Sequence, residues 1–234
     1  MVRVGVLCGL KREADIVQRL ADQAGLPVDV RITAADQERT IREADDLAFS
    51  DATHLLSFGL AGALDPALRP GTLLFPESVV ILCRRTGNPS LSGGTDTDWL
   101  NSLKKANPHA RTAQVLGVEN IVDSAESKAD LLRRSGADII DMESHHLAAA
   151  ARAAAKPFAV IRAIADTANM DLPAPALAGV DGDGRARVWP VLRELVGQPS
   201  AISGLIKLGS ASESAFRSLA RVTLQAPENV AVTA

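Results

Sequence analysis

The chain has 234 residues, 47% of them hydrophobic and 23% charged, a balance that excludes wholesale disorder and suits one globular domain with a small appendage. Aromatic residues make up only 3%, five Phe and two Trp with no Tyr, and the formal net charge is −3. Both figures exclude a nucleic-acid partner, whose recognition needs stacking platforms and clustered cations.

Short β-type runs alternate with helical patterns along the chain. Val2 to Cys8 reads as a strand apolar on both faces, as in a buried parallel sheet, and Glu13 to Ala24 as a helix with Ile16, Val17 and Leu20 on one side. Val28 to Ile32 is a second expected strand and Asp36 to Ala48 a second helix. His54 to Phe58 leads into an expected turn at Gly59-Leu60-Ala61-Gly62, and Thr72 to Leu82 is a long β segment introduced by Pro70-Gly71. Ser92-Gly93-Gly94-Thr95 lacks the lysine of a phosphate-cradling Walker motif and reads as a flexible loop. Asp96 to Ala106 reads as helix, Ala113 to Val118 as strand and Ser127 to Arg134 as helix. Ala137 to Ile140 follows as strand, Glu143 to Ala155 as helix and Phe158 to Ile164 as strand. This alternation predicts an α/β fold, a three-layer αβα sandwich around a mixed, mostly parallel central sheet.

Beyond Asp166 the texture changes. Pro173, Pro175, Gly179, Gly182 and Gly184 punctuate a long loop, and Val188 to about Leu224 reads as two or three short amphipathic helices before a tail. The expected organisation is an α/β core over 1–168, a mobile loop over 169–187 and a C-terminal helical extension over 188–234 packed on or near the core. Asp181-Gly182-Asp183-Gly184 echoes a calcium loop but lacks its later bidentate Glu, so it reads as a turn. No apolar stretch approaches the ~18 residues that span a bilayer, and the start of the chain is too short in apolar length for a signal peptide. Cys8 and Cys83, each in an apolar run, read as reduced core thiols. The expected location is the cytoplasm.

Ligands of open α/β sheets bind beyond the carboxyl ends of the strands. The residues found there are Gly9-Leu10-Lys11-Arg12-Glu13, then Gly59 to Gly62, Asp141-Met142-Glu143 and Ala165-Asp166-Thr167. Glu13, Glu143 and Asp166 thereby gather on one rim. Such a set suits a cationic, oxocarbenium-like transition state, in which one carboxyl protonates a leaving group, one activates a nucleophile and one holds sugar hydroxyls.

Asp141-Met142-Glu143, an Ala-rich helix and then Lys156 through Asp166 resemble the C-terminal half of the purine nucleoside phosphorylase / methylthioadenosine nucleosidase superfamily. Phe58 to Pro66, with Leu68, Pro70 and Gly71, looks like that superfamily's central glycine motif, and Gly5 to Glu13 is similar to the nucleosidase N-terminus. The resemblance covers residues 2–168. Trp189-Pro190-Val191-Leu192, Pro199 and Ala215 to Leu219 look further like the hopanoid-associated phosphorylase branch, which removes adenine from adenosylhopane.

The resemblance implies that Asp166 is the general acid at purine N7, that Glu13 orients the attacking water, and that Glu143 binds the ribose hydroxyls with Met142 beneath the sugar. It places Leu60, Ala61, Gly62, Asn120 and Ile121 in the base pocket, Ile121 contacting adenine through its backbone. It implies no cofactor, with inorganic phosphate open as co-substrate at Gly9, Lys11 and Arg12, and a homo-oligomer. The implied partner is a small nucleoside bearing a polycyclic lipid tail, with transient contact at a membrane surface. The alternatives are a general methylthioadenosine/adenosylhomocysteine-type nucleosidase and a catalytically weakened nucleoside- or lipid-binding relative.

The departures from the pattern are specific. Leu60 and Ala165 stand where nucleosidases carry Ser, Asn120 where an aromatic packs on the base, and Ser57 where phosphorylases carry an arginine that grips phosphate. The residues favour water as nucleophile and the branch's name favours phosphate, so both stay open at this level. Each carboxylate also has a plainer reading: Glu143 as a helix-dipole partner, Asp166 as an N-cap, Glu13 as a solvated first-turn acid. His145-His146 suggests a metal, but adjacent helical residues point roughly 100° apart and no HExxH spacing exists, so no metal is expected.

Overall fold

The computed structural model describes residues 2–172 and 201–226, with the side chains of 201–205 outside that set. Eight strands form the sheet: β1 (Val4–Cys8), β2 (Val28–Ile32), β3 (His54–Ala63), β4 (Leu73–Leu82), β5 (Pro89–Gly94), β6 (Arg111–Gly117), β7 (Ile139–Asp141) and β8 (Phe158–Asp166). The helices are α1 (Lys11–Ala24), α2 (Gln37–Ala48), α3 (Thr97–Ala106), α4 (Ala125–Ser135), α5 (Ser144–Ala153) and α6 (Ala201–Leu219).

Strand residues alternate between two apolar layers, which is why the runs are apolar throughout rather than amphipathic. Val4, Val6 and Cys8 of β1 and Ala159, Ile161 and Ala163 of β8 face the layer that holds α1, α3 and α6. Leu7, Phe158, Val160 and Ile164 face the layer that holds α2 and α5. A smaller third cluster, around Val80, Leu116 and Ile140, is capped by Leu131 and Leu132 of α4. The expected three-layer α/β fold is what the chain adopts.

The sheet also curls upon itself. β3 pairs in parallel with β1 on one side and β8 on the other, while its last residues, Gly62 and Ala63, turn to pair antiparallel with β7. β7 pairs with β6, β6 with β4, and β4 with β8, so five strands close into a ring. A register shift between Ala61 and Gly62 sets Gly62 opposite Asp166, the kind of bulge that re-aims a side chain at a strand end.

Several expectations change. Gly59 to Gly62 is strand rather than turn, because β8 and β7 satisfy its backbone on successive stretches. Ser92 to Gly94 belongs to β5, paired antiparallel to β4. Cys8 is a buried free thiol as expected, but Cys83 lies just past β4, half-buried and hydrogen-bonded to Thr86, which lowers its pKa. Of the stretch expected to hold two or three short C-terminal helices, 188–200 lies outside the described residues and 201–219 is one 19-residue helix, α6. Most of the expected 169–187 loop, the calcium-like turn and the Trp189 segment lie outside the described residues.

Ala215, Phe216 and Leu219 of α6 are buried in the layer with α1 and α3, and the segment after it is fastened by Thr223 N–H to Asn107 Oδ1 at 2.8 Å. Leu219 is fully buried, so Leu219→Ala leaves a cavity and is expected to cost about 3 kcal/mol, read from the urea midpoint at unchanged m-value.

Candidate active site

The strand ends and the loops after them enclose a cavity of about 200 Å3. Glu13, Glu143 and Asp166 all line it, together with Gly9, Leu60, Ala61, Gly62, Met142 and Ile121. Ile121, exposed, stands at its mouth, whereas Asn120 lines a wider neighbouring groove of about 960 Å3. Lys11 and Arg12 are engaged elsewhere: Lys11 pairs with Asp15, and Arg12 pairs with Glu213 and lies 4.1 Å over the Phe216 ring.

Glu13, in the first turn of α1, turns its carboxyl inward. Its two oxygens accept from Leu10 N–H and Leu60 N–H, both at 2.8 Å, which ties the β1–α1 loop to β3. A Cβ on Gly59 would lie 2.7 Å from Glu13 Oε1, so glycine at 59 makes room for the acid rather than for a turn. Burial pushes the Glu13 carboxyl above the usual carboxylate range, against the pull of the Leu60 N–H.

Glu143 occupies the N-cap of α5 without a capping hydrogen bond. Asp141 serves that end instead, accepting from Ser144 N–H at 3.1 Å, so the Glu143 side chain is free to face the cavity. Burial, reinforced by Asp141, raises Glu143 to about 8.

Two cations behind the cavity were missing from the sequence reading of the site. Arg162 of β8 is fully buried; its Nε donates to Asp141 Oδ2 at 2.7 Å, and one terminal nitrogen donates to Ser57 Oγ at 2.6 Å and Ser144 Oγ at 3.1 Å. The same guanidinium stands 3.8 Å from Glu143. Its signal is its place as the lone charge in the apolar run Phe158 to Ala165, which demands a buried partner. Lys128 of α4, also fully buried, donates to Asp166 Oδ1 at 2.5 Å and to the carbonyls of Thr167 and Met170 at 3.0 and 2.9 Å. Burial raises the Asp166 pKa and Lys128 counteracts it. Nothing local marks Lys128, which sits among residues typical of a solvated helix face.

Lys128→Met leaves a largely buried carboxylate without its cation and removes a donor from the Thr167 and Met170 carbonyls. We expect a loss of about 3 kcal/mol in unfolding free energy; an unchanged urea midpoint would refute the pairing.

A family model described as the phosphorylase superfamily matches residues 34–185. No curated protein matches the chain. Among solved structures, the chain is similar to a 5'-methylthioadenosine/S-adenosylhomocysteine nucleosidase from Neisseria meningitidis in complex with methylthio-immucillin-A, at TM-score 0.72 and 14% identity over 96% of this chain and 97% of that one. An S-adenosylhomocysteine nucleosidase from Streptococcus pyogenes gives TM-score 0.69 and 14% identity over 99% and 98% of the two chains. Futalosine hydrolase of Helicobacter pylori gives 0.67 and 14% over 94% and 95%. At these identities the likeness is one of fold.

Proposed function

The chain is an enzyme of the phosphorylase superfamily, and we propose that it hydrolyses the N-glycosidic bond of a purine nucleoside. The observation that carries this reading is the convergence of Glu13, Glu143 and Asp166 on one cavity whose described lining includes no Lys or Arg. A sugar cation developing there meets the Glu13 carboxylate, and no cation in the described lining offers a phosphate nucleophile a grip. The two nearby cations, Arg162 and Lys128, are already held by acids and carbonyls. Water is therefore the favoured nucleophile.

Asp166 gives its proton to N7, so the base leaves as a neutral molecule when the bond from C1′ to N9 breaks. Glu143 holds the ribose hydroxyls over Met142. Glu13, fixed by two backbone N–H groups, orients a water toward C1′ and accepts its proton as the new C–O bond forms. Acid, base and water suffice, and the reaction needs no resident cofactor. The residues given these roles all fall within 1–168, against which α6 packs.

For the substrate we favour adenosylhopane, giving ribosylhopane and adenine in hopanoid biosynthesis. The support is the sequence resemblance of the C-terminal segments and an apolar lining of Leu10, Leu60, Ile121, Val122 and Leu172 with no aromatic among the described residues. Among the described residues no helix is long and apolar enough to cross a membrane. A cytoplasmic homo-oligomer that touches the membrane transiently to collect its lipid fits this reading, and partial sedimentation with liposomes is its expected signature.

Asp166→Asn is expected to lower kcat/KM for adenine release ~10²–10⁴-fold; full activity would remove the acid assignment. With and without phosphate, the product is expected to be free ribosyl rather than its 1-phosphate. A 5′-alkyl adenosine with a bulky tail is expected to outcompete 5′-methylthioadenosine, and the reverse order would point to the smaller nucleosidase substrates. The pH profile follows from the two shifts. Asp166 works protonated, so its raised pKa preserves activity until pH rises through it. Glu13 works ionised, so its raised pKa makes activity fall as pH drops through a value above the ordinary ~4.3 of glutamate. An acid limb at or below that ordinary value would dismiss Glu13 as the base.

A further inference from the structure

We propose that Glu119, His145 and His146 form a binding site for a divalent transition-metal ion of the zinc class, beside the catalytic cavity and outside the bond-cleaving machinery. Glu119 follows β6, and the two histidines belong to the first turn of α5. One ligand atom from each residue falls within 4.8 Å of the others. The two rings, expected from helical geometry to diverge, have centroids 3.9 Å apart and planes tilted by 39°.

Glu119 Oε1 stands 3.8 Å from Arg84, but the other donor atoms lack partners among the described residues. Both ring nitrogens of His145, Nε2 of His146 and Oε2 of Glu119 are buried, and none has a hydrogen-bond partner among the described residues. Buried polar atoms are nearly always paired, so four orphans on three adjoining side chains call for a common ligand. The contact of His145 Nε2 with Glu119 Oε1, at 3.9 Å, lies beyond hydrogen-bond reach. His145 is also held in place, because its ring packs where a Cβ on Gly117 would stand, and the residue is only 6% exposed.

Two imidazoles and one carboxylate form a borderline donor set that suits Zn2+, Co2+ or Ni2+, whereas Mg2+ and Ca2+ prefer oxygen throughout. Tetrahedral ligand atoms about 2.0–2.1 Å from zinc lie roughly 3.3 Å apart, so the set closes with side-chain rotations of about 1.5 Å or less. Glu119 and His145 line the wide groove, which gives an ion its entrance. The bound ion would tie the segment after β6, whose Val118 and Ile121 also line the cavity, to the turn that carries Ser144 and Glu143. Its effect is to stiffen that wall.

The test uses tag-free, chelator-treated protein titrated with ZnCl2 by calorimetry and followed by thermal unfolding. The expected result is one saturable ion per chain and a raised Tm. Glu119→Gln and His146→Asn, each checked by circular dichroism, are expected to weaken binding at least ~10-fold, equivalent to about 1.4 kcal/mol; His145 is left intact because its packing bears on folding. MgCl2 in excess is expected not to compete. No saturable binding by the folded wild type, wild-type binding by both variants, or equal competition from Mg2+ would each overturn the site. None of these readouts uses substrate, so they stand apart from the nucleosidase reading.

Discussion

The buried pair of Arg162 and Asp141 is the constraint on which the site depends. Three carboxylates, those of Glu13, Asp141 and Glu143, crowd the ends of β1, β3 and β7, and Arg162 is the guanidinium among them. A fully buried arginine is costly unless its donors are used, and Asp141, Ser57, Ser144 and the Ile161 carbonyl use them. Asp141 in turn serves the first turn of α5, which releases Glu143 from capping. One ion pair thus fixes the helix that starts at Glu143 and balances part of the negative charge gathered beside the cavity.

The alternation of strands and helices, and the position of each carboxylate after a strand, were legible because both are local patterns. Apolar runs such as Val4 to Cys8 and Phe158 to Ala165 carry their buried state in their composition. Gly59 to Gly62 was misread because glycine in sequence looks the same whether it bends the chain or clears space for a neighbour; only the Glu13 carboxyl, 46 positions earlier, tells the two apart. The partners of the acids were illegible for a similar reason. Lys128 meets Asp166 across 38 residues and Arg162 meets Ser57 across 105, and no periodicity records such pairings.

The two acids proposed for proton transfer sit in contrasting supports. Glu13 is held by neutral backbone N–H groups, which orient it and favour its ionised form against the effect of burial. Asp166 is held by a full positive charge at the end of a strand whose bulge sets its direction. The environments of two otherwise similar side chains therefore differ in kind, one oriented by dipoles and one by a cation that opposes the rise burial gives its pKa.

The placement of β8 between β3 and β4 sets the order of events in making the protein. Until residues 158–166 have left the ribosome, β3 and β4 present unpaired edges, and Arg162 is not there to meet Asp141. Arg12, beside Glu13, then waits for Glu213, 201 positions later. Such long-range closure slows folding and leaves half-built sheet exposed until those later residues are in place.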